Sequence, residues 1–393
     1  MTTEELSVRA AALEETFVAL RREIHAYPET AQHEEKTATL VEKALHSFGI
    51  ETVRWGNCVL GVLQGGRAGR TVVLRADMDA LPMQEQSELP FASQCAGICH
   101  ACGHDIHTAA LLFAAKLLSE CRNTLYGTVK LLFQPAEETL SGALLVLNKT
   151  NFLDNADAIF AMHTWPELPE GSVGVRFGSM MAAADTFSIK ILAQGGHAAH
   201  PQHTADPVLT AAYITTQLHT IVARELSPLE SAVLTVGEFH AGSAPNIIPL
   251  EAILRGTVRS MTQSTRQKMQ ISIERIAKLT AESLRAEASV EYRVGCPPLC
   301  GTDKLVSIVE RAAQKVVGAE RVFHLEKPSL GSEDFAYYLQ KIPGAFFRIG
   351  TYDDRPESRL DLHDPRIIFG EGSIRTGAMT LTTTAILYLT GQW

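Results

Sequence analysis

The sequence predicts an α/β protein with a mixed sheet flanked by helices, interrupted by an inserted α+β domain of ferredoxin-like type. Three observations lead there. Apolar runs such as Thr71-Val-Val-Leu-Arg75, Gly127-Thr-Val-Lys-Leu-Leu-Phe133 and Ala156-Asp-Ala-Ile-Phe-Ala-Met162 stand among helix-period segments, the pattern of strands buried on both faces. Between residues 183 and 295 the order becomes β-α-β-β-α-β, that of a split β-α-β unit. After Pro297 the earlier α/β texture returns. Two domains follow, as 393 residues also suggest. One is discontinuous, 1–182 with 296–393; the other is 183–295.

Residues 3–48 alternate apolar and charged positions with helical period, broken at Pro28, and predict two helices around a His25-Ala-Tyr-Pro28 turn. Strands are predicted at 57–63 and 71–75, and the second delivers Asp77-Met-Asp79. The strand 127–133 ends in Gln134-Pro135-Ala136-Glu137-Glu138, where proline stops the strand and leaves two adjacent carboxylates at its end. Adjacent side chains diverge in extended backbone, so one is expected to face a metal and the other the substrate water. The strand 156–162 ends in His163. Three strands thus bring donors to one rim, the place where open α/β sheets carry their chemistry. In the inserted domain a strand at 185–192 precedes a Gly195-Gly196-His197-Ala-Ala-His200-Pro201 turn. A helix at 206–224, strands at 232–238 and 251–260, a helix at 263–285 and a strand at 288–294 follow. The remainder reads as a helix at 302–317, Leu330-Gly-Ser-Glu-Asp-Phe335, a strand near 345–349, Leu360-Asp-Leu-His363-Asp-Pro365 and a closing helix.

The densest chemistry lies at Cys99-His-Ala-Cys102-Gly-His104-Asp105-Ile-His107, all donor types for a borderline or soft divalent metal. An apolar helix former follows at 111–118, so these donors sit where a loop enters a helix. The positive end of that helix is expected to favour a thiolate at Cys102. Seven cysteines make an odd count in a chain long enough not to need staples, which argues against a disulfide framework. The crowding of Cys95, Cys99 and Cys102 leaves a second reading open, a structural zinc or iron-sulfur site on three thiolates. A zinc module without enzymatic function would explain the cysteines but not Glu137.

The formal charge of −9 and the absence of a Lys/Arg cluster argue against a nucleic-acid partner. No apolar run approaches the ~20 residues of a membrane span. The first 22 residues read as a charged amphipathic helix rather than a signal peptide, and a cytoplasmic location is expected.

Arg75-Ala-Asp77-Met-Asp79-Ala-Leu-Pro82, His100-Ala-Cys102-Gly-His104-Asp105-Ile-His107-Thr-Ala and Phe133-Gln-Pro-Ala-Glu137-Glu138 are three motifs in order along the chain. Gly195-Gly-His197-Ala-Ala, Pro245-Asn246-Ile-Ile-Pro249 and Gly331-Ser-Glu-Asp-Phe335 complete the set. Together they resemble the M20 metallopeptidase family, specifically its amidohydrolase branch of aminoacylases, hippurate hydrolases and auxin-conjugate hydrolases. The resemblance runs nearly end to end, and several independent motifs make it specific. It implies a catalytic domain with two divalent metals and a lid domain that also dimerises. The ligands it implies are Cys102, His104, Glu138, His163 and His363, with Glu137 as general base and Asp79 as its supporting aspartate. In the wider family a histidine ligand stands where this chain has Asp77, so a ligand role for Asp77 is open. His197, placed by the resemblance in the partner subunit's site, and Asn246 are the candidates for substrate and oxyanion contact. The metals expected are zinc, manganese, cobalt or nickel, and the reaction is deacylation of an N-acyl amino acid. A dipeptidase or carboxypeptidase of the same fold is the alternative.

Overall fold

The buried runs form the middle of an eight-stranded sheet in a computed structural model that describes residues 3–392. The chain begins with α1 (Thr3–Ala26) and α2 (Glu35–Ser47), then β1 (Glu51–Trp55), β2 (Cys58–Gln64) and β3 (Arg67–Asp77). Next come α3 (His104–Glu120), β4 (Tyr126–Gln134), α4 (Gly142–Lys149), β5 (Ala158–Pro169) and β6 (Val173–Val175). There follow β7 (Ser179–Met181), β8 (Ala183–Leu192), β9 (Gly196–His197), α5 (Pro207–Thr220), β10 (Ala232–Ala241), β11 (Ile247–Ile248), β12 (Glu251–Ser260), α6 (Gln263–Ser283), β13 (Glu287–Cys296) and β14 (Leu299–Cys300). The chain closes with α7 (Asp303–Val317), β15 (Val322–His324), α8 (Ala336–Leu339), β16 (Gly344–Tyr352) and α9 (Gly372–Thr390).

Contacts divide the chain into two units. The first runs from the N-terminal helix to Gly178 and includes Cys300–Lys327 and everything from Asp334 onward; the second is Ser179–Leu299 with Pro328–Glu333. The sheet of the first unit is ordered β1-β2-β4-β3-β5-β16-β6-β15. Its centre is parallel, β4 on β3, β3 on β5 and β5 on β16, while β1, β2 and β6 pair antiparallel, so the sheet is mixed as the sequence predicts. Helix α3 is buried along nearly its whole length, and Phe113 from it stacks on Phe17 of α1 at 4.3 Å. That burial explains why residues 111–118 are apolar all round rather than striped.

The short strands β6, β7, β14 and β15 are not expected from the sequence, and two longer strands also differ from expectation. The segment 51–55 is a strand with mostly part-exposed side chains, held by pairing with β2 rather than by an apolar face of its own. Strand β5 runs past His163 to Pro169, because its pairing with β16 continues beyond the apolar run.

The second unit has a four-stranded antiparallel sheet in the order β10-β12-β8-β13. Its elements follow the order β8-α5-β10-β12-α6-β13, a split β-α-β arrangement. Phe187, Ile189 and Ile191 of β8 pack with Leu254 of β12, Ile214 and Leu218 of α5 and Ile273 of α6, so one face of the sheet is covered by both helices. Asp206 caps α5 by accepting from the Val208 and Leu209 N–H groups, and Thr262 caps α6. The predicted helix over 206–224 stops at Thr220 and widens into a π-type turn over Ile221–Glu225. Among the described residues no helix is long and apolar enough to cross a membrane.

Candidate metal centre

Three adjacent parallel strands, β4, β3 and β5, end at the same edge of the sheet and set the site. The loop after β3 leads through Cys102 into α3, whose first residue is His104. Gly103 between them has φ 82 and lies so close to Thr164 that a Cβ would stand 2.7 Å from its side chain, so only glycine serves there. Thr164 donates from its hydroxyl to the Cys102 carbonyl at 2.7 Å and ties the loop to β5.

Cys102, His104 and His163 bring one donor atom each within 4.8 Å of one another; Cys102, Glu138 and His363 do the same, as do His104, Glu137 and Glu138. Cys102 Sγ is 3.4 Å from His163 Nε2, His104 Nε2 is 3.7 Å from Glu138 Oε1, and His363 Nε2 is 3.5 Å from Glu138 Oε2. His163 donates from Nδ1 to the Thr164 carbonyl at 2.7 Å, which leaves the Nε2 lone pair facing the thiol. His363 is held at φ 69, with its N–H on the Ala101 carbonyl at 2.9 Å. Both ring nitrogens of His104 and Oε1 of Glu138 are buried and make no well-formed hydrogen bond, His104 Nδ1 standing 3.4 Å from Asp79 Oδ1. Buried polar atoms in that condition are costly, and a cation among them removes the cost. With one thiol, three imidazoles and a carboxylate converging, the residues fit a pair of divalent ions.

Asp79 holds the carboxylate pair. It accepts from the Glu137 N–H at Oδ1 and from the Glu138 N–H at Oδ2, each at 2.9 Å. Glu34 Oε1 takes the preceding Ala136 N–H at 2.9 Å, and Ala136 itself has φ 60. The two glutamates therefore stand in a tight turn, not in extended backbone, and both carboxylates reach His104; the expected divergence of neighbouring side chains does not apply. The Asp334 N–H meets Glu137 Oε1 at 3.2 Å, and the Asp334 carboxylate is fixed by Arg75 and Gln134.

Asp77 is committed elsewhere. His107 donates from Nδ1 to Asp77 Oδ1 at 2.5 Å and accepts the Thr164 N–H at Nε2, while Arg75 donates to Asp77 Oδ2 at 2.6 Å. Asp77, His104 and His107 also bring donor atoms within 4.8 Å of one another, but both carboxylate oxygens of Asp77 and both His107 nitrogens carry hydrogen bonds, and Asp77 Oδ2 stands 3.9 Å from His104. Burial works against its charge, but His104, Arg75 and His107 hold its carboxyl well below the usual range.

The expectation of a thiolate at Cys102 from the helix end alone is reversed: burial, with Glu138 adding to it, pushes the thiol well above its ordinary value. A cation must stabilise the thiolate. Burial also pushes His163 well below its ordinary value, which keeps it neutral and able to donate a lone pair. The three-thiolate alternative fails, since neither Cys95 nor Cys99 joins any metal-competent group among the described residues. Cys99 pairs with Leu81 through its backbone, and burial pushes its thiol up to about 12. Glu34 and the His107–Asp77 pair are contributions sequence reasoning did not assign; for Glu34 the sequence offers no signal, being one acidic residue among several.

His197 and Asn246 lie in the second unit, on the exposed two-strand pairing of β9 with β11. The Ala199 N–H donates to His197 Nδ1 at 3.0 Å, so the ring caps its own turn and carries its proton outward on Nε2. The Asn246 carbonyl accepts from the Ala198 N–H at 3.1 Å.

A mixed sheet with Cys, His and Glu donors converging at the ends of its parallel strands defines a metal-binding α/β protein. A profile of the peptidase family M20/M25/M40 matches residues 73–386. N-acetyl-L-cysteine deacetylase of Bacillus subtilis is 39% identical over 370 residues, 93% of this chain and 86% of that protein. The IAA-amino acid hydrolase ILR1-like 2 of Arabidopsis thaliana is 39% identical over 379 residues, 95% of this chain and 85% of its own. The crystal structure of the YXEP protein of Bacillus subtilis, described as a dinuclear metal binding peptidase, superposes with a TM-score of 0.86 at 32% identity. It covers 97% of this chain and 99% of its own. The chain belongs to the M20/M25/M40 peptidase family and is a metal-dependent amidohydrolase with two divalent ions.

Beneath the loop, Asp105 is fully buried and accepts from Arg21 Nε at 2.6 Å and His25 Nδ1 at 2.7 Å. Burial alone would raise its carboxyl, but Arg21 and His25 hold it well below the usual range. A depressed carboxyl contributes stability above its unfolded value of about 4 and loses it as the pH falls further. Asp105→Asn removes the nearer anion from buried Arg21, leaving only Glu371 Oε1 at 3.4 Å, and should cost up to about 3 kcal/mol at pH 7. The gap to the wild type should narrow below about pH 4, as read from urea unfolding of both proteins after chelation. A gap constant across that range would show that Asp105 is not ionised in the folded state.

Proposed function

We propose that this chain deacylates N-acyl amino acids at a centre where Cys102, His104, Glu138, His163 and His363 hold the two ions and Glu137 is the general base. The observation that carries the assignment is the position of Glu137. It is a buried carboxylate whose backbone N–H donates to Asp79 and whose Oε1 accepts the Asp334 N–H, with a carboxylate oxygen within 4.8 Å of donor atoms of His104 and Glu138. Bound ions, whether zinc, manganese, cobalt or nickel, supply Lewis acidity and make water acidic near neutral pH. Glu137 takes the proton of the attacking water on its carboxylate and later returns it to the departing amine. Asp79 keeps that carboxylate aimed by fixing the turn beneath it. Names of relatives support the substrate class, one a deacetylase of N-acetyl-L-cysteine and one a hydrolase of IAA-amino acids.

His197 serves as oxyanion donor, a role its outward Nε2–H suits, with Asn246 beside it as a substrate contact. The chain acts as a homodimer in which His197 enters the partner's site, and it works in the cytoplasm, in keeping with seven free cysteines.

Glu137→Gln should lose more than ~10²-fold in kcat with metal content unchanged, because the amide cannot take the proton. Retained turnover would remove Glu137 from this role. A panel of N-acetyl, N-benzoyl and dipeptide substrates assayed with added metal distinguishes deacylase from peptidase; turnover of dipeptides alone would assign the chain to the dipeptidases or carboxypeptidases.

For His197, the Ala variant should lose on the order of 10²-fold in kcat with its metal intact. Mixed dimers of His197→Ala and Glu137→Gln protein carry one site with both defects and one with neither, so activity should return on subunit exchange. Verified mixed dimers that stay inactive would confine His197 to capping its own turn.

A further inference from the structure

The N-terminal helix carries two buried basic side chains that the reaction does not use. Arg21 and His25 lie one turn apart on α1, both buried, and both close on the same oxygen, Asp105 Oδ2, at 2.6 and 2.7 Å. Asp105 directly follows His104 in the first turn of α3. That helix starts at Gly103 without a side-chain cap; Thr164 holds the Cys102 carbonyl on one side, and Asp105 is the first-turn side chain that α1 grips on the other.

The other nitrogen of His25, Nε2, lies 3.1 Å from Glu85 Oε1. Glu85 in turn accepts from the Ser87 hydroxyl and from the Ser93 N–H, the latter at 2.6 Å. Ser93 donates onward to the Ile98 carbonyl at 2.7 Å, next to Cys99. His25 therefore bridges the segment that enters the Cys99–His104 loop and the residue at which that loop becomes helix. Phe91 lies across this cluster, with the Arg21 guanidinium 5.0 Å from its ring centre and the His25 ring edge-on at 5.4 Å. Buried ion clusters of this kind add little net stability, because desolvation consumes most of the attraction; what they add is a fixed position.

We propose that Arg21 and His25 are positioning residues for the metal loop: clamping Asp105 from one side and Glu85 from the other, they hold His104 and Cys102 in the geometry that binds the ions. The inference rests on the reading of Cys102 and His104 as ligands. Its consequence is that metal affinity depends on a helix that contributes no ligand.

The test is the zinc dissociation constant of each reloaded protein, measured by competition with a chromophoric chelator, beside its melting temperature. His25→Ala should bind zinc about 10-fold more weakly, the lower end of the loss on removing a direct partner of a ligand, because His25 acts through Asp105. Arg21→Lys, which keeps one charged donor, should lose less. Leu6→Ala empties a buried position on the same helix and should lower the melting temperature while leaving zinc affinity within about threefold. Should His25→Ala not fold, His25→Gln, which retains a single donor, is measured in its place. Wild-type affinity in the His25 variant, or an equal loss in Leu6→Ala, overturns the clamp. Cys102→Ser separates the two claims: if it loses zinc while the His25 variant does not, the clamp alone fails, and if it keeps zinc, the ligand reading fails and the clamp with it.

Discussion

Two backbone N–H groups ending on one carboxylate decide what this site can be. Asp79 receives the Glu137 and Glu138 amides at 2.9 Å each, and that grip turns the end of β4 from a loop into a rigid platform. The turn is not one the backbone adopts unaided: Ala136 sits at φ 60, a region that costs a non-glycine residue on the order of 1 kcal/mol or more. Glu34 contributes the third acceptor, at the Ala136 N–H. Held this way, adjacent carboxylates can share one cavity, which extended backbone would forbid.

The second constraint is charge. The first unit buries Arg75, Asp77, Asp79, His104, Asp105, His107, Glu137, His163 and Asp334 in one region of a core otherwise apolar. Most are paired with one another: Arg75 with Asp77 and Asp334, His107 with Asp77, Asp105 with Arg21 and His25. Those pairs use up the charges that flank the site. Among the buried atoms they leave without a hydrogen bond are both ring nitrogens of His104 and Oε1 of Glu138, beside a Cys102 thiol that burial keeps from ionising. Ion binding and folding are coupled there, since the cation completes a polar core that the chain alone leaves open.

Much of this was legible in the sequence, for physical reasons. Strands buried on both faces leave long apolar runs, so β3, β4 and the start of β5 stand out without any alignment, and the donors at their ends are visible because so many metal-competent residues rarely crowd together. The parts that were not legible depend on contacts distant in sequence. Strand β5 outruns its apolar stretch because β16, nearly two hundred positions later, continues to pair with it. The direction of the Glu137 and Glu138 side chains could not be read from strand alternation, because Asp79 had already bent the backbone. Helix-end electrostatics at Cys102 pointed to a thiolate, whereas complete burial, invisible in sequence, dominates and points to a thiol. Glu34, Arg21 and His25 carry no motif of their own; their importance lies in what they meet after folding.

X-ray absorption at the zinc edge of the reloaded protein tests the central claim most directly, because it reads the atoms around the metal without reference to activity. The account predicts two zinc ions per chain and a single kind of sulfur neighbour at about 2.3 Å, contributed by Cys102, among nitrogen and oxygen neighbours at about 2.0–2.2 Å. A spectrum with no sulfur neighbour, or one dominated by three or four sulfurs per metal, would contradict it.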